Sequence, residues 1–268
     1  MNILVTNDDG IDSAGLWALV EAMSRVGEVL VVAPKSQQSG MGSSFSLHSD
    51  TSIEEVPSSI PGVQAYAVGG TPSDCAMLGI RTLSGERRIG LLVSGINHGA
   101  NIGRDILFSG TVMATLQGYF RKIPSIAMSL AIMDRDSEPD FSFAATVAEH
   151  LARRIQEGTL PTDAILNTNV PDIPREQIKG IVTTQTAAGA WVRLAPVATK
   201  DGVRYITGAR PEVEYPEGTD IRAITSDMIS ITPLRMEVTH HDGIPALAEH
   251  VPALESDLLG DRKGRHEA

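Results

Sequence analysis

Two adjacent carboxylates, Asp8 and Asp9, stand one residue beyond the run Asn2-Ile3-Leu4-Val5-Thr6 and directly before Gly10. Neighbouring side chains on an extended strand point to opposite faces. The pair converges only if the strand has already ended, and Gly10 permits the turn that ends it. Two carboxylates about 4 Å apart repel by roughly 4 kcal/mol at an effective dielectric of 20. A divalent cation removes that penalty, so the pair suits metal chemistry. A solvated turn, or capping of the following helix by Asp12 or Ser13, accounts for the same residues without a ligand.

Two further loops carry compatible groups. Residues 35–44 supply Ser36, Ser39, Gly40, Gly42, Ser43 and Ser44. A hydroxyl there could complete an oxygen shell around a hard cation; a plain Ser/Gly surface loop is the alternative. Residues 94–105 are rich in Gly, Asn and Asp, a composition that suits backbone N–H groups turned around an anion. Within them Asn97 can offer a carbonyl oxygen to a metal, and Asn101 can donate its amide to a phosphoryl oxygen. Ser109-Gly110-Thr111 then opens a helix, whose start is either an anion site or simply capped by Ser109 or Thr111. His98 reads as an acid or as a spacer. His240-His241 are adjacent rather than one turn apart and make a poor metal pair. Cys75, Trp17 and Trp191 read as packing residues.

The elements that must position these loops follow from periodicity. Residues 2–6 form a short buried strand. Leu16, Leu19, Val20 and Met23 repeat at helical spacing, Gly27 closes that helix, and Val29 to Ala33 form a second strand. Strand, helix and strand within about 35 residues make a βαβ unit and so a parallel sheet. Residues 89–94, 125–130 and 164–169 read as further strands, with helices marked by Val112, Met113, Leu116 and Phe120 and by Phe143, Val147, Leu151 and Ile155. The alternation predicts an α/β doubly wound, mostly parallel sheet between two helical layers. Ligands in such sheets bind beyond the carboxyl ends of the strands, where all three loops fall. Residues 1–175 are assigned to this core. Residues 176–240 are assigned to a β-rich extension returning to the core, with strands at 178–186 and 228–234 and no good helix between. Residues 241–268 are assigned to a C-terminal helix and tail, with a short helix at 243–254 and a frayed end at 260–268.

Composition excludes several classes. The 268 residues hold 22 Lys+Arg against 33 Asp+Glu, a formal charge of −11. So acidic a chain, with no long basic stripe, is a poor DNA or RNA binder. No apolar run approaches the roughly 20 residues that span a bilayer. The N-terminus lacks the basic and apolar regions of a signal peptide. One cysteine excludes an intramolecular disulfide. Cytoplasmic residence is the expectation.

Taken in order, Asn7-Asp8-Asp9-Gly10, Ala33-Pro34 with Gln38-Ser39-Gly40, Gly70-Thr71-Pro72-Ser73-Asp74-Cys75, Val93-Ser94-Gly95-Ile96-Asn97, Ser109-Gly110-Thr111 and Ser230-Ile231-Thr232-Pro233-Leu234 closely resemble the survival protein E (SurE) family of metal-dependent nucleotidases. The resemblance runs over about residues 1–240. It implies a Rossmann-like core with a β-extension, and homodimers or homotetramers built by exchanged C-terminal segments. It implies phosphate release from nucleoside 5′- and 3′-monophosphates, with some activity on short polyphosphate, using one Mg²⁺ or Mn²⁺ per subunit. The implied metal ligands are Asp8, Asp9, Ser39 and Asn97, and the implied phosphate-side residues are Asn101, Ser109, Gly110 and Thr111. Asp8, Asp9 and Asn97 are the implied catalytic set; no cysteine fits as nucleophile, and direct attack by water is expected rather than a phosphoenzyme. A non-catalytic nucleotide or phosphate sensor is the alternative. Ala100 stands where the family commonly has proline, and Phe108 where it frequently has tyrosine.

Overall fold

The computed structural model describes residues 1–132, 138–191, 193–200, 202–208 and 213–260. The chain begins with β1 (Asn2–Thr6), α1 (Ala14–Ser24) and β2 (Glu28–Pro34), followed by β3 (Ile53–Val56), β4 (Gln64–Val68) and α2 (Pro72–Leu78). Next come β5 (Ile89–His98), α3 (Gly110–Ala114), α4 (Leu116–Tyr119), β6 (Ser125–Ala131), α5 (Ser142–Gln156) and β7 (Ile165–Pro171). Then follow β8 (Gly180–Thr183), β9 (Arg193–Thr199), β10 (Gly202–Gly208), α6 (Asp220–Thr225), β11 (Met228–Leu234) and α7 (Gly243–Leu259).

Nine strands form one sheet in the order β3-β4-β2-β1-β5-β6-β7-β11-β8. From β4 to β7 all neighbours are parallel. β3 pairs antiparallel with β4, and β11 antiparallel with β7. The chain winds outward from β1 through β2 to β4, then crosses to β5 and winds the other way. β1 and β5 therefore flank the topological switch point, where ligand crevices open in such sheets.

Both faces of the sheet are covered, as the mostly apolar strands require. On one face Ile3, Val5, Leu91 and Met128 pack with Leu16, Leu19 and Met23 of α1 and Ala148 and Leu151 of α5. On the other, Leu4, Leu30, Val32 and Leu92 pack with Cys75 and Ala76 of α2 and Ala114 of α3. The α/β three-layer architecture expected from alternation is the one observed.

Several elements differ from the periodicity reading. β5 continues past Ser94 to His98, with a register shift against β6 between Ser94 and Asn97, so Asn97 and His98 end a strand rather than sit in a loop. The helix expected through residues 112–120 is split at Thr115, whose hydroxyl donates to the Val112 carbonyl. Such back-bonding bends helices. In the region assigned to a β-rich extension, β8 and β11 join the main sheet, while β9 and β10 pair antiparallel as a separate two-stranded sheet. α6, not expected from the sequence, is six residues long, too short for a 3.6-residue period to show; Thr219 caps it through the Arg222 N–H.

Residues 1–234 form one compact unit. The second unit begins at Arg235 and contains α7, five residues longer than expected. Residues 261–268 of the expected frayed tail lie outside the described residues. Among the described residues no helix is long and apolar enough to cross a membrane.

Candidate active site

The turn after β1 is shaped by Asn7. Its Nδ2 donates to the Gly10 carbonyl at 2.9 Å, and its Oδ1 accepts from the Gly10 N–H at 3.2 Å. Gly10 has φ +102°, where side-chain-bearing residues are strained. The strand thus ends at once, and Asp8 and Asp9 leave it together. Ser13 occupies the N-cap of α1 without a side-chain hydrogen bond, and among the described residues Asp12 makes no side-chain cap bond to that helix either.

Asp8 is buried, with 3% of its surface exposed. Its Oδ1 accepts from the Thr111 hydroxyl, and the Thr111 backbone N–H also bonds the carboxylate. Asn97 Oδ1 lies 3.4 Å from the same Thr111 hydroxyl. That hydroxyl has one hydrogen, spent on Asp8, so the Asn97 oxygen keeps its lone pairs. The Asn97 amide is turned by a 2.8 Å bond from its Nδ2 to the Gly99 carbonyl. Asp9 Oδ2 accepts from the His98 backbone N–H at 3.1 Å. Oxygens from the turn after β1, from β5 and from the start of α3 therefore meet at the switch point.

Close approach of α3 makes this possible. A Cβ on Gly110 would stand 2.7 Å from Asp8 Cβ and 2.9 Å from Asp8 Oδ2. Ser109 caps α3 by accepting from the Val112 N–H at 3.1 Å. α3 spans five residues, too few for a substantial macrodipole, so any anion binding there rests on individual N–H groups.

Ser39 is placed less directly. The Gln38 N–H donates to the Asp8 carbonyl at 2.7 Å, which docks this loop beside the carboxylates. The Ser39 side chain is exposed, and its hydroxyl accepts from Gln37 Nε2 at 3.1 Å rather than joining the Asp8–Thr111–Asn97 cluster.

The electrostatics are those of a desolvated acidic pair. Burial pushes the Asp8 carboxyl from 3.8 up to about 6, opposed by the Thr111 hydrogen bond and reinforced by the charge of Asp9. Burial also raises Asp9, opposed by the His98 N–H and the His98 imidazole. Among the described residues neither carboxylate forms a salt bridge with Lys, Arg or His, and no group of three or more His, Cys, Asp or Glu side chains is positioned for a metal. A hard cation would have to be held by two carboxylates and neutral oxygens, a donor set that suits Mg²⁺ or Mn²⁺.

Other candidates fall away. Cys75 is fully buried, and burial raises its thiol far above the usual range. Trp191 is buried against Ile102 and Ile221, and Trp17 donates its indole N–H to the Ile11 carbonyl at 2.8 Å. His240 and His241 are exposed.

Sequence reasoning missed the residues that hold the 99–105 loop. Buried Asp220 accepts from the Gly103 N–H and the Ala187 N–H, each at 2.9 Å. Asn101 is bound by Ser129, Asn167 and Asn169. The one local signal was the polar triplet Asn167-Thr168-Asn169 inside an otherwise apolar strand, unusual for a sheet covered on both faces.

A family model described as survival protein SurE matches residues 3–193. The chain is 43% identical to the 5′-nucleotidase SurE of Dehalococcoides mccartyi strain CBDB1, over 87% of this chain and 88% of that protein. It is 40% identical to the 5′-nucleotidase SurE of Geobacter sulfurreducens, over 92% of each. The crystal structure of SurE from Aquifex aeolicus superposes with a TM-score of 0.78 at 32% identity, over 93% of this chain and 99% of that one. Fold, switch-point site and sequence similarity lead to one conclusion: this chain belongs to the survival protein SurE family.

Proposed function

We propose that this chain is a divalent-metal-dependent phosphomonoesterase that releases phosphate from nucleoside 5′-monophosphates, with 3′-monophosphates and short polyphosphate as further substrates. The observation that carries it is the meeting of Asp8, Asn97 and Thr111 oxygens, with Asp9 alongside, at the switch point of the sheet. The relatives named 5′-nucleotidase SurE support the substrate class.

Asp8, Asp9 and the Asn97 carbonyl oxygen would hold the cation, with the Ser39 hydroxyl reached by rotation from Gln37. When bound, Mg²⁺ or Mn²⁺ supplies Lewis-acid polarisation of the phosphoryl group and acidifies water. Thr111 holds Asp8 in one orientation and favours its ionised form. Asp9 is less buried than Asp8 and has one oxygen tied to the His98 N–H; Asp8 or Asp9 would accept the proton of the attacking water. Asn101, the Ser109 hydroxyl and the Gly110 N–H would stabilise charge on the phosphoryl oxygens as they pass through the transition state. For a chain of −11, a local cation also offsets the repulsion of a dianionic substrate.

The reading extends to assembly and location. Ile244, Leu247, Val251, Leu254 and Leu258 of α7 are 47–78% exposed and repeat at alternating intervals of three and four, the seam of a helix that packs on another. This supports a homodimer or homotetramer in which the segment beyond residue 240 is exchanged. The acidic charge and single cysteine support a cytoplasmic enzyme that does not bind DNA.

The test is phosphate release from nucleoside monophosphates, with Mn²⁺ or Mg²⁺ and with EDTA. Activity that EDTA abolishes and either metal restores supports the reading. Asp8→Asn should lower turnover by orders of magnitude while the fold is retained. Tight monophosphate binding with no turnover would instead favour the sensor.

A further inference from the structure

β7 carries Asn167, Thr168 and Asn169 fully buried in the middle of the sheet. Buried amides are costly unless hydrogen-bonded. Here the bonds converge on one residue of the loop after β5. The Asn101 N–H donates to Asn169 Oδ1 at 2.8 Å. The Asn101 carbonyl accepts from Asn167 Nδ2 at 2.9 Å and from Asn169 Nδ2 at 3.1 Å. The Asn101 side-chain Nδ2 donates to Ser129 Oγ at 2.9 Å.

Register links this network to the carboxylate centre. Ser129 lies opposite Asn97 across the β5–β6 pair and opposite Asn169 across the β6–β7 pair. In-register side chains on neighbouring strands share a face, about 4.8 Å apart. Asn97, Ser129 and Asn169 thus form a polar row across three strands, and Ser129 ties Asn101 to β6, the neighbour of the strand that bears Asn97. Stability alone does not account for the asparagines of β7, because Asn167 Oδ1 is buried with no hydrogen-bond partner among the described residues.

We propose that Ser129, Asn167 and Asn169 are positioning residues that lock Asn101 for the reaction. An amide nitrogen carries two hydrogens. Ser129 takes one and the asparagines fix the backbone, so the second N–H is held ready for the phosphoryl group. A donor fixed in advance needs no reorganisation in the transition state. The inference rests on the reading of Asn101 as a phosphate-side residue.

The test is a double-mutant cycle on the full chain with Mn²⁺ and a nucleoside 5′-monophosphate. Asn101→Ala should lower kcat/KM about 100-fold, the scale of losing one such donor. Ser129→Ala should lower it about 10-fold, mainly in kcat, with Mn²⁺ affinity within about twofold of the unmutated chain, because a preorganised donor acts in the transition state. In the Asn101→Ala background Ser129→Ala should add nothing, since its effect passes through a group already removed. Additive losses in the double variant, a normal rate for Ser129→Ala, or a loss of Mn²⁺ binding would overturn the positioning role. A normal rate for Asn101→Ala would instead remove the phosphate-side reading, and the inference with it. Should Ser129→Ala fail to fold, Asn169→Asp serves in the same cycle: it keeps the acceptor for the Asn101 N–H and loses the donor to the Asn101 carbonyl.

Discussion

Asp8→Asn should make the metal-free protein more stable, not less. Asp8 is almost fully buried, and burial raises its carboxyl from 3.8 to about 6. Between those values the native chain keeps a proton at Asp8 that the unfolded chain has lost. Stability therefore falls as pH rises through that window, and the deficit is complete above about pH 6. A carboxyl displaced that far costs the native state about 3 kcal/mol. Asparagine keeps an oxygen to accept the Thr111 hydroxyl and carries no charge to desolvate. In EDTA at pH 8 the variant should gain about 3 kcal/mol in urea unfolding, or roughly 6–12 °C in Tm for a chain of this size. At pH 5 about half of that advantage should remain. Saturating Mn²⁺ should reverse the order, because it binds the native unmutated chain and stabilises it by mass action. A variant no more stable than its parent in EDTA at pH 8, or an advantage independent of pH between 5 and 8, would refute the argument that a desolvated, uncompensated carboxylate sits at this site.

Three other perturbations address the supports of the site. Gly110→Ala places a methyl group 2.7 Å from Asp8 Cβ and 2.9 Å from Asp8 Oδ2, so α3 must withdraw; phosphate release should fall at least about 10-fold, as misplacement of about 1 Å costs up to 100-fold, with weaker Mn²⁺ binding by titration. Asp220→Ala removes the acceptor of the Gly103, Ala187 and Ile221 N–H groups; at about 1–3 kcal/mol for each buried donor left unpaired, urea unfolding should show a loss of about 3 kcal/mol or more. Replacing Leu247, Val251 and Leu254 with serine should lower the molecular mass measured by light scattering to that of a single chain, while an unchanged mass would count against α7 as the assembly element.

The αβα core was legible because its signals are local. The apolar spacing of Leu16, Leu19, Val20 and Met23 marks α1, and the run after Ile89 marks β5. Asp8 and Asp9 could be placed at a strand end because Gly10 directly follows them. The region after residue 175 was read less well, since whether a strand joins the main sheet depends on its partner. β8 and β11 enter that sheet, while among the described residues β9 pairs with β10 alone. Thr115 splits a helix that a 3.6-residue count carries straight through.

By itself, then, the sequence determined which side chains were available for chemistry, that they gather near strand ends, and the order in which strands and helices alternate. These follow from spacing over a few residues and from the chemistry of each side chain. Tertiary structure decided which of those groups meet. Thr111 reaches Asp8 across 103 positions, Asp220 reaches Gly103 across 117, and Asn169 reaches Asn101 across 68. Such contacts exist only once the sheet is wound in both directions from β1, because strand order, not chain order, brings these residues to a common edge.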